Sequence, residues 1–170
     1  LTNFKAWGGA TPIQLATVTM LLGTNSSGKS SILQSLLLLK QTIASPDRTI
    51  HLNLGGDEAN DFFNFGNFHD VISKGATERS FGVSVSIERP DKLIQQGSRW
   101  IGELRECDID LSYCMTSAGA PNVSVLEMRA TDKRLRLEKK KKGAYSLYVD
   151  DETEARGKSR LMAPERSVSF

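Results

Sequence analysis

The residues best suited to chemistry lie in one glycine-rich segment near the N-terminus. Residues 23–30 read G-T-N-S-S-G-K-S and match the pattern G-x-x-x-x-G-K-[ST] at every fixed position. Gly23 and Gly28 allow left-handed backbone angles and a close approach to oxygen atoms. Successive amides can then turn inward and form a concave anion site at the start of a helix. The spacing therefore predicts a loop that binds the phosphates of a nucleoside triphosphate.

The side chains of this loop have distinct expected roles. Lys29 is the predicted catalytic residue, because its ammonium can reach the β- and γ-phosphates and spread charge in the transition state. The Ser30 hydroxyl is the predicted protein ligand of Mg²⁺, with phosphate oxygens and waters at other positions. We prefer ATP over GTP as the ligand, because no N-K-x-D guanine-reading element occurs in the sequence. The loop positions expected to bind the nucleotide are Gly23, Asn25, Ser26, Ser27, Gly28, Lys29, Ser30 and Ser31.

The segments on either side of the loop are those that such a loop requires. The apolar run within residues 13–22 predicts a buried strand before it, and residues 1–7 predict a shorter one. A helix is expected from about residues 28–29 to Ser45, where Pro46 stops it. Its wide apolar surface predicts packing on more than one side. Residues 1–45 are therefore expected to form a strand, phosphate loop and helix core.

The rest of the chain changes character twice. Residues 46–80 predict a loop region with one short element near 68–72. Two-residue alternation begins at Phe81 and predicts an antiparallel β-subdomain over 81–150. Its strands are expected near residues 81–87, 108–115 and 122–130, with a hairpin whose arms flank Lys139–Lys142. Residues 151–170 are expected to form a polar link toward further chain.

Composition limits the classes of protein that remain. The chain has 170 residues, 22 basic and 20 acidic, and 39% hydrophobic residues, which is typical of a globular domain. Its two cysteines cannot form a disulfide framework and indicate a cytoplasmic protein. No apolar run approaches the roughly 20 residues needed to span a bilayer, so no membrane role is expected. Because the chain begins at Leu1 in a strand-like segment, it is expected to be the N-terminal part of one larger domain.

Several segments resemble a known group of ATPases. The opening L-T-N-F-K, residues 23–31, L-Q-S-L-L-L-L-K-Q at 33–41 and F-G-N-F-H-D-V-I at 65–72 are similar to SMC-, RecF- and OLD-like ATPase heads. The group includes bacterial AAA-type ATPases related to OLD nucleases, GajA and PtuA. The resemblance implies an α/β P-loop NTPase fold, namely the N-terminal lobe of an ABC-type ATPase head with a mixed sheet and an antiparallel β-subdomain. It also implies that Lys5 lies near the nucleotide.

The resemblance further implies partners. Such heads sandwich two ATP molecules between two copies, so a homodimer or higher oligomer is expected. They act on DNA in phage defence or repair, often with a nuclease domain or partner. Three elements that complete such a site are missing from the sequence: a signature loop, a Q-loop glutamine within residues 65–87, and a clear acidic strand, although 147–152 (L-Y-V-D-D-E) imitates the last. Two alternatives therefore stay open, an ATP-gated oligomeric scaffold with little turnover and a transporter ATPase subunit.

Other candidate residues have simpler readings. His69 beside Asp70 could sense phosphate, but capping of a short helix is the favoured reading. Phenylalanines at 62, 63, 65 and 68 could stack on bases, although anchoring the loop region to a core is favoured. The run Lys139–Lys142 could contact a phosphodiester backbone or simply form a solvated hairpin tip.

Overall fold

Regular structure occurs as two helices and six strands in the residues that the computed structural model describes, which are 1–10, 12–47, 49–88, 106–130, 133–140, 145–150 and 152–153. The helices are α1 (Lys29–Ala44) and α2 (Phe68–Val71). The strands are β1 (Ser80–Glu88), β2 (Glu106–Met115), β3 (Pro121–Ala130), β4 (Lys133–Lys139), β5 (Tyr145–Val149) and β6 (Glu152–Thr153). The prediction of an α/β chain is confirmed.

Helix α1 begins and ends where the sequence predicts. Its N-cap is Gly28 in the left-handed conformation, and its C-cap Ser45 directly precedes Pro46. One face is buried, and residues spaced by three or four positions form it: Ser31, Ile32, Ser35, Leu38, Gln41 and Thr42. Leu33, Leu36 and Ile43 are 57%, 43% and 47% exposed. The predicted packing on more than one side is therefore wrong within the described residues.

The predicted strand before the loop is absent. Residues 13–22 form neither strand nor helix, and Val18, Met20 and Leu22 are 85%, 77% and 82% exposed. Local bonds between Ala16 and the Thr19 hydroxyl (2.9 and 3.2 Å) accompany a bend in the segment. A strand needs the backbone of a neighbour to complete its hydrogen bonds. Among the described residues no strand lies alongside this segment, and the prediction of a buried strand is wrong there.

Residues 1–7 contain a tight turn at Phe4–Trp7 in place of the predicted strand, and hydrogen bonds join this segment to neighbouring parts of the chain. Phe4 and Trp7 each donate an amide to the other's carbonyl at 2.8 Å. Isolated bridges also join Thr2 to Gly82 and Phe4 to Ile72. Lys5, inside the turn, has a left-handed φ of 49°. The short loop between Phe4 and Trp7 is thus fixed at both ends.

The six strands form one sheet in sequence order, from β1 to β6. The β3–β4, β4–β5 and β5–β6 pairs are antiparallel. In the predicted hairpin Leu137 faces Leu147 and Lys139 faces Tyr145, while the tip at 141–144 lies outside the described residues. The predicted antiparallel pairing of these strands is therefore confirmed. The predicted mixed sheet around the helix is wrong for the described residues, because residues 13–22 do not contribute a strand.

The chain divides into two compact units. The first contains Leu1–Val83 and Ser112–Val123, and the second contains the described parts of 84–111 and 124–153. Phe81 is the centre of the first unit's core, with ring centroids of three buried aromatics 5.1–5.6 Å away. Those aromatics are Phe4, Phe68 and Tyr113. The predicted link at 151–170 lies outside the described residues, apart from β6.

A buried carboxylate organises the second unit. Glu127 is 7% exposed and accepts hydrogen bonds from Nε and Nη2 of Arg134, both at 3.0 Å. Arg129 donates to the same carboxylate at 3.0 Å and also to Asp110 at 2.7 Å. The Arg134 hydrogen bonds lower the pKa of Glu127, against the opposing effect of burial. Charge-assisted bonds of this kind compensate the desolvation of the carboxylate.

Within the described residues, no helix combines the length and the apolar character needed to cross a bilayer.

Candidate functional site

The glycine-rich loop adopts the backbone conformation that its sequence predicts. Gly23 and Gly28 have φ values of 151° and 88°, and Ser26 between them has 63°. A left-handed serine costs about 1 kcal/mol or more, so the rest of the loop must hold it there. Hydrogen bonds from the Ser27 amide to Thr24 (3.4 Å) and from the Ser31 amide to Gly28 (3.1 Å) close successive turns. The loop is therefore a curled segment that leads directly into α1.

Lys29, the first residue of α1, folds its side chain back over this loop. Its ammonium donates to the carbonyl oxygens of Gly23 (2.9 Å) and Thr24 and to the Ser27 hydroxyl at 3.3 Å. These acceptors are neutral, so they orient the ammonium without cancelling its charge. Because a lysine ammonium has three donors and these three acceptors use them, an anion at the loop would bind Lys29 by replacing loop acceptors.

A cleft of about 270 Å³ lies against the loop. All the predicted site residues except Gly23 and Asn25 line it, and none of the lining residues is acidic. The lining residues are Lys5, Ala6, Ser26, Ser27, Gly28, Lys29, Ser30 and Ser31.

The start of α1 adds positive potential to the cleft. The first amides of a helix have no intrahelical partners, and the helix dipole places about half a positive charge there. No side chain caps the N-terminus of α1, and its first turn contains no acidic residue. The first acidic residue of the whole sequence is Asp47. The uncapped start of α1 and the residues Lys5 and Lys29 therefore lie along one cleft.

Lys5 reaches the cleft from the tight turn at Phe4–Trp7. Its amide donates to Val71 at 2.8 Å, and its ammonium lies 5.5 and 5.4 Å from the ring centroids of Phe63 and Phe65. These distances are within cation–π range. Burial lowers the pKa of Lys5, and the Asp70 carboxylate partly opposes that shift. The structure thus brings Lys5 together with the glycine-rich loop, although Lys5 lies 18 positions before Gly23, the first residue of that loop.

Trp7 is a functional candidate that the sequence analysis missed. Its indole Nε1 donates to the Gly28 carbonyl at 3.0 Å, across 21 residues of sequence. A Cβ atom added to Gly28 would lie 2.9 Å from this nitrogen and 3.2 Å from the Ala6 Cβ. For this contact the sequence offers one signal, an aromatic side chain two residues after Lys5. The residues between Trp7 and Gly28 form no pattern that predicts it.

The residues present offer only a partial set of Mg²⁺ ligands. Ser30 is exposed in the cleft as the second residue of α1, which leaves its hydroxyl available. In the part of the chain that the structure describes, no three His, Cys, Asp or Glu side chains cluster as a metal site. Mg²⁺ commonly binds through one or two protein groups together with phosphate oxygens and waters. Ser30 fits that role as a single ligand.

In the candidate acidic segment at 147–152, the Asp150 carboxylate already forms an ion pair and a backbone hydrogen bond. Asp150 accepts from the Lys133 ammonium at 3.0 Å and from the Arg134 amide at 2.9 Å. The bond from the Arg134 amide is the main cause that lowers the pKa of Asp150. Asp151 and the glutamines at 95 and 96 lie outside the described residues. Asp150 thus serves the β4–β5 hairpin.

The remaining candidates divide between structural and exposed positions. Asp70 accepts the Asn67 amide at 2.8 Å in a capping box, which confirms the helix-capping reading of its pair with His69. Phe65 and Phe68 are 3% and 1% exposed and anchor the loop region, as favoured. Phe62 and Phe63 are instead 50% and 37% exposed.

Comparison with known proteins identifies no family for this chain, because no protein-family model, no curated protein and no solved structure matches it. What the cleft can bind must therefore be inferred from its own residues.

Proposed function

We propose that this chain binds ATP with Mg²⁺ through the cleft at the start of α1, as part of an ATP-hydrolysing head of the ABC type. One observation carries the proposal. The cleft combines a curled glycine-rich loop, uncapped helix amides and the basic residues Lys5 and Lys29, and within the described part of the chain no carboxylate lines it. Carboxylate-free positive sites of this construction favour polyphosphate over other ligands.

Each group has a role in this proposal. The backbone amides of Ser26 and of residues 28–30 bind phosphate oxygens, and Lys29 exchanges loop acceptors for the β- and γ-phosphates. Lys5 adds a second cation from the other wall of the cleft. Ser30 provides one ligand to Mg²⁺, and the ion, when bound, neutralises charge on the phosphates. Asn25 and Gly23 shape the loop from outside the cleft.

Hydrolysis requires a group that these residues do not supply. A water molecule attacking the γ-phosphate needs an acceptor to orient it, and among the described residues no carboxylate lines the cleft. In the proposed P-loop NTPase fold, further chain and a second head would complete the site, so dimerisation would depend on ATP. That the complex acts on DNA in phage defence or repair, with a nuclease domain or partner, rests on the sequence resemblance.

The missing carboxylate also favours a second candidate function. A site that binds ATP without a water-activating group can act as an ATP-gated scaffold, in which the nucleotide locks an oligomer and turns over slowly. Turnover of saturating ATP by the complete dimeric head separates the two functions, because the described residues alone lack the water-activating group in either case. A rate of about 1 s⁻¹ or more, which is typical of enzymes, supports the ATPase function. Tight binding with a rate orders of magnitude lower supports the scaffold.

Binding itself is tested by calorimetric titration of Mg²⁺-ATP into the wild-type chain, Lys29→Ala and a matched control, Lys40→Ala. Both variants remove one ammonium from α1. Lys40 lies about 16 Å farther along the helix, more than a Debye length at physiological ionic strength. Its ammonium is 4.7 Å from the Phe62 ring and is absent from the cleft lining. Loss of a charge-assisted bond of about 1.5–3 kcal/mol predicts roughly 10- to 100-fold weaker binding for Lys29→Ala.

Lys40→Ala is expected to bind within about twofold of wild type, because screened charges contribute little. Equal weakening by both substitutions would mean that binding depends on the net charge of the protein and not on the position of Lys29. Binding that is unchanged in Lys29→Ala would contradict the proposed site.

A further inference from the structure

We propose that Trp7 is a positioning residue that aims the Lys29 amide into the phosphate cleft, by holding the Gly28 carbonyl of the same peptide. The proposal rests on the phosphate binding proposed above. It assigns the indole no contact with the ligand, since Trp7 is not among the residues that line the cleft.

The argument starts from the geometry of one peptide bond. In a trans peptide the carbonyl and the following amide N–H point in opposite directions. Trp7 Nε1 donates to the Gly28 carbonyl at 3.0 Å, and Gly28 and Lys29 both line the cleft. A hydrogen bond that draws the carbonyl toward the indole therefore turns the Lys29 N–H away from Trp7. That amide is the first of α1, where no intrahelical acceptor exists.

Gly28 makes such a restraint necessary. Its φ of 88° is accessible because it has no side chain, but glycine also populates negative φ about as readily. Its carbonyl also accepts the Ser31 amide at 3.1 Å, a bond that ties it to the first turn of the helix. The indole thus adds a tether from outside the loop. Without it the Gly28–Lys29 peptide has more freedom to rotate, and the amide is less well prepared for an anion.

The indole is itself held firmly enough to act as a tether. Trp7 closes the turn with Phe4 through two backbone bonds of 2.8 Å. Phe4 is fully buried and lies 5.4 Å from the Phe81 ring, in the core of the first unit. The same turn presents Lys5 to the cleft. One rigid turn therefore supplies a cation to the ligand and orients an amide toward it.

Trp7→Phe tests the inference, because it keeps an aromatic ring and removes the N–H donor. Inorganic triphosphate is titrated calorimetrically into the wild-type chain, Trp7→Phe and the control Phe62→Leu, whose ring is half-exposed and contacts Lys40 instead of the loop. The expected result is about fivefold to tenfold weaker binding in Trp7→Phe, the loss of one ordinary hydrogen bond. Phe62→Leu is expected to stay within about twofold of wild type.

Amide spectra separate positioning from a merely structural role. In the wild-type chain the Lys29 amide resonance is expected to move downfield as triphosphate saturates the site. At saturation in Trp7→Phe that shift should be clearly smaller, with the other loop amides nearly unchanged. The Trp7 indole signal, assigned between the two tryptophans by through-bond connectivity in the wild-type spectrum, should exchange slowly with solvent. This last measurement needs no folded variant.

The outcomes are distinct. Wild-type binding together with equal affinity and an equal Lys29 shift in Trp7→Phe would overturn the positioning role and leave the proposed function intact. Fast exchange of the Trp7 indole proton in the wild-type chain would overturn it as well. A wild-type chain that does not bind triphosphate would overturn the phosphate site itself.

Discussion

The close approach of Gly28 to the Trp7 indole makes a substitution at this glycine unusually informative. Alanine at position 28 would carry two costs. The left-handed φ of 88° disfavours a side chain by about 1–2 kcal/mol. The added Cβ would also lie 2.9 Å from Trp7 Nε1, a contact that forces a shift and adds about 1–3 kcal/mol. Gly28→Ala should therefore lower the free energy of unfolding by about 2–5 kcal/mol, the sum of the two terms.

Gly119 provides a matched control for the backbone term. Its φ is 82°, nearly that of Gly28, but a Cβ placed there meets nothing within 4 Å. Gly119→Ala should lose only the conformational term of about 1–2 kcal/mol. Urea denaturation of both variants gives the two free energies directly. The difference between them measures the close approach of the indole.

A double variant extends the test. Trp7→Phe removes the Nε1 atom that the new methyl group would meet, so it should recover part of the extra loss in Gly28→Ala. The two substitutions should therefore show a coupling energy of at least about 0.5 kcal/mol. Equal losses in Gly28→Ala and Gly119→Ala, with additive effects in the double variant, would refute the packing of Trp7 against the loop.

Three further substitutions test other parts of the structure, each followed by denaturation. Glu127→Gln should cost about 1–2 kcal/mol at pH 7, a figure kept low because the arginine partners are one-third to one-half exposed. Because the folded-state pKa of Glu127 is lowered from 4.5, its stabilising effect is present above that pH and is lost as the pH falls through the folded-state pKa. The difference between wild type and Glu127→Gln should therefore shrink progressively on acidification below pH 4.5, and a constant difference would contradict the network. Tyr113→Phe should leave stability unchanged or raise it by about 1 kcal/mol, since within the described residues the buried hydroxyl has no hydrogen-bond partner, and a loss above 1 kcal/mol would reveal one. Gln41→Met should cost about 2 kcal/mol or more, because Gln41 bonds to the Asn53 carbonyl (2.7 Å) and the Phe63 amide (3.2 Å), and a negligible loss would mean that these groups find other partners.

Elements with a local signal were predictable from sequence. The helix Lys29–Ala44 is bounded by Gly28 and Pro46, whose backbone preferences act whatever surrounds them. Strands β1 to β5 follow from two-residue alternation. The curl of the loop follows from its two glycines and the fixed spacing of Lys29. In each case neighbouring residues carry the information.

Features that depend on distant parts of the chain were not predictable. The apolar run at 13–22 has the composition of a buried strand, yet composition alone provides no neighbouring backbone. The contact between Trp7 and Gly28 spans 21 residues and depends on a turn at Phe4–Trp7 that was expected to be a strand. The place of Lys5 in the cleft was implied by resemblance alone.

The central claim is that inward-facing amides at the start of α1 bind polyphosphate. A ¹⁵N-resolved titration of the full chain with Mg²⁺-ATP tests it most directly, because each amide reports separately. The account predicts saturable shifts of the Gly28, Lys29 and Ser30 amides and much smaller shifts at the C-terminal end of α1, near Lys40. Loop amides that do not respond at millimolar Mg²⁺-ATP would contradict it.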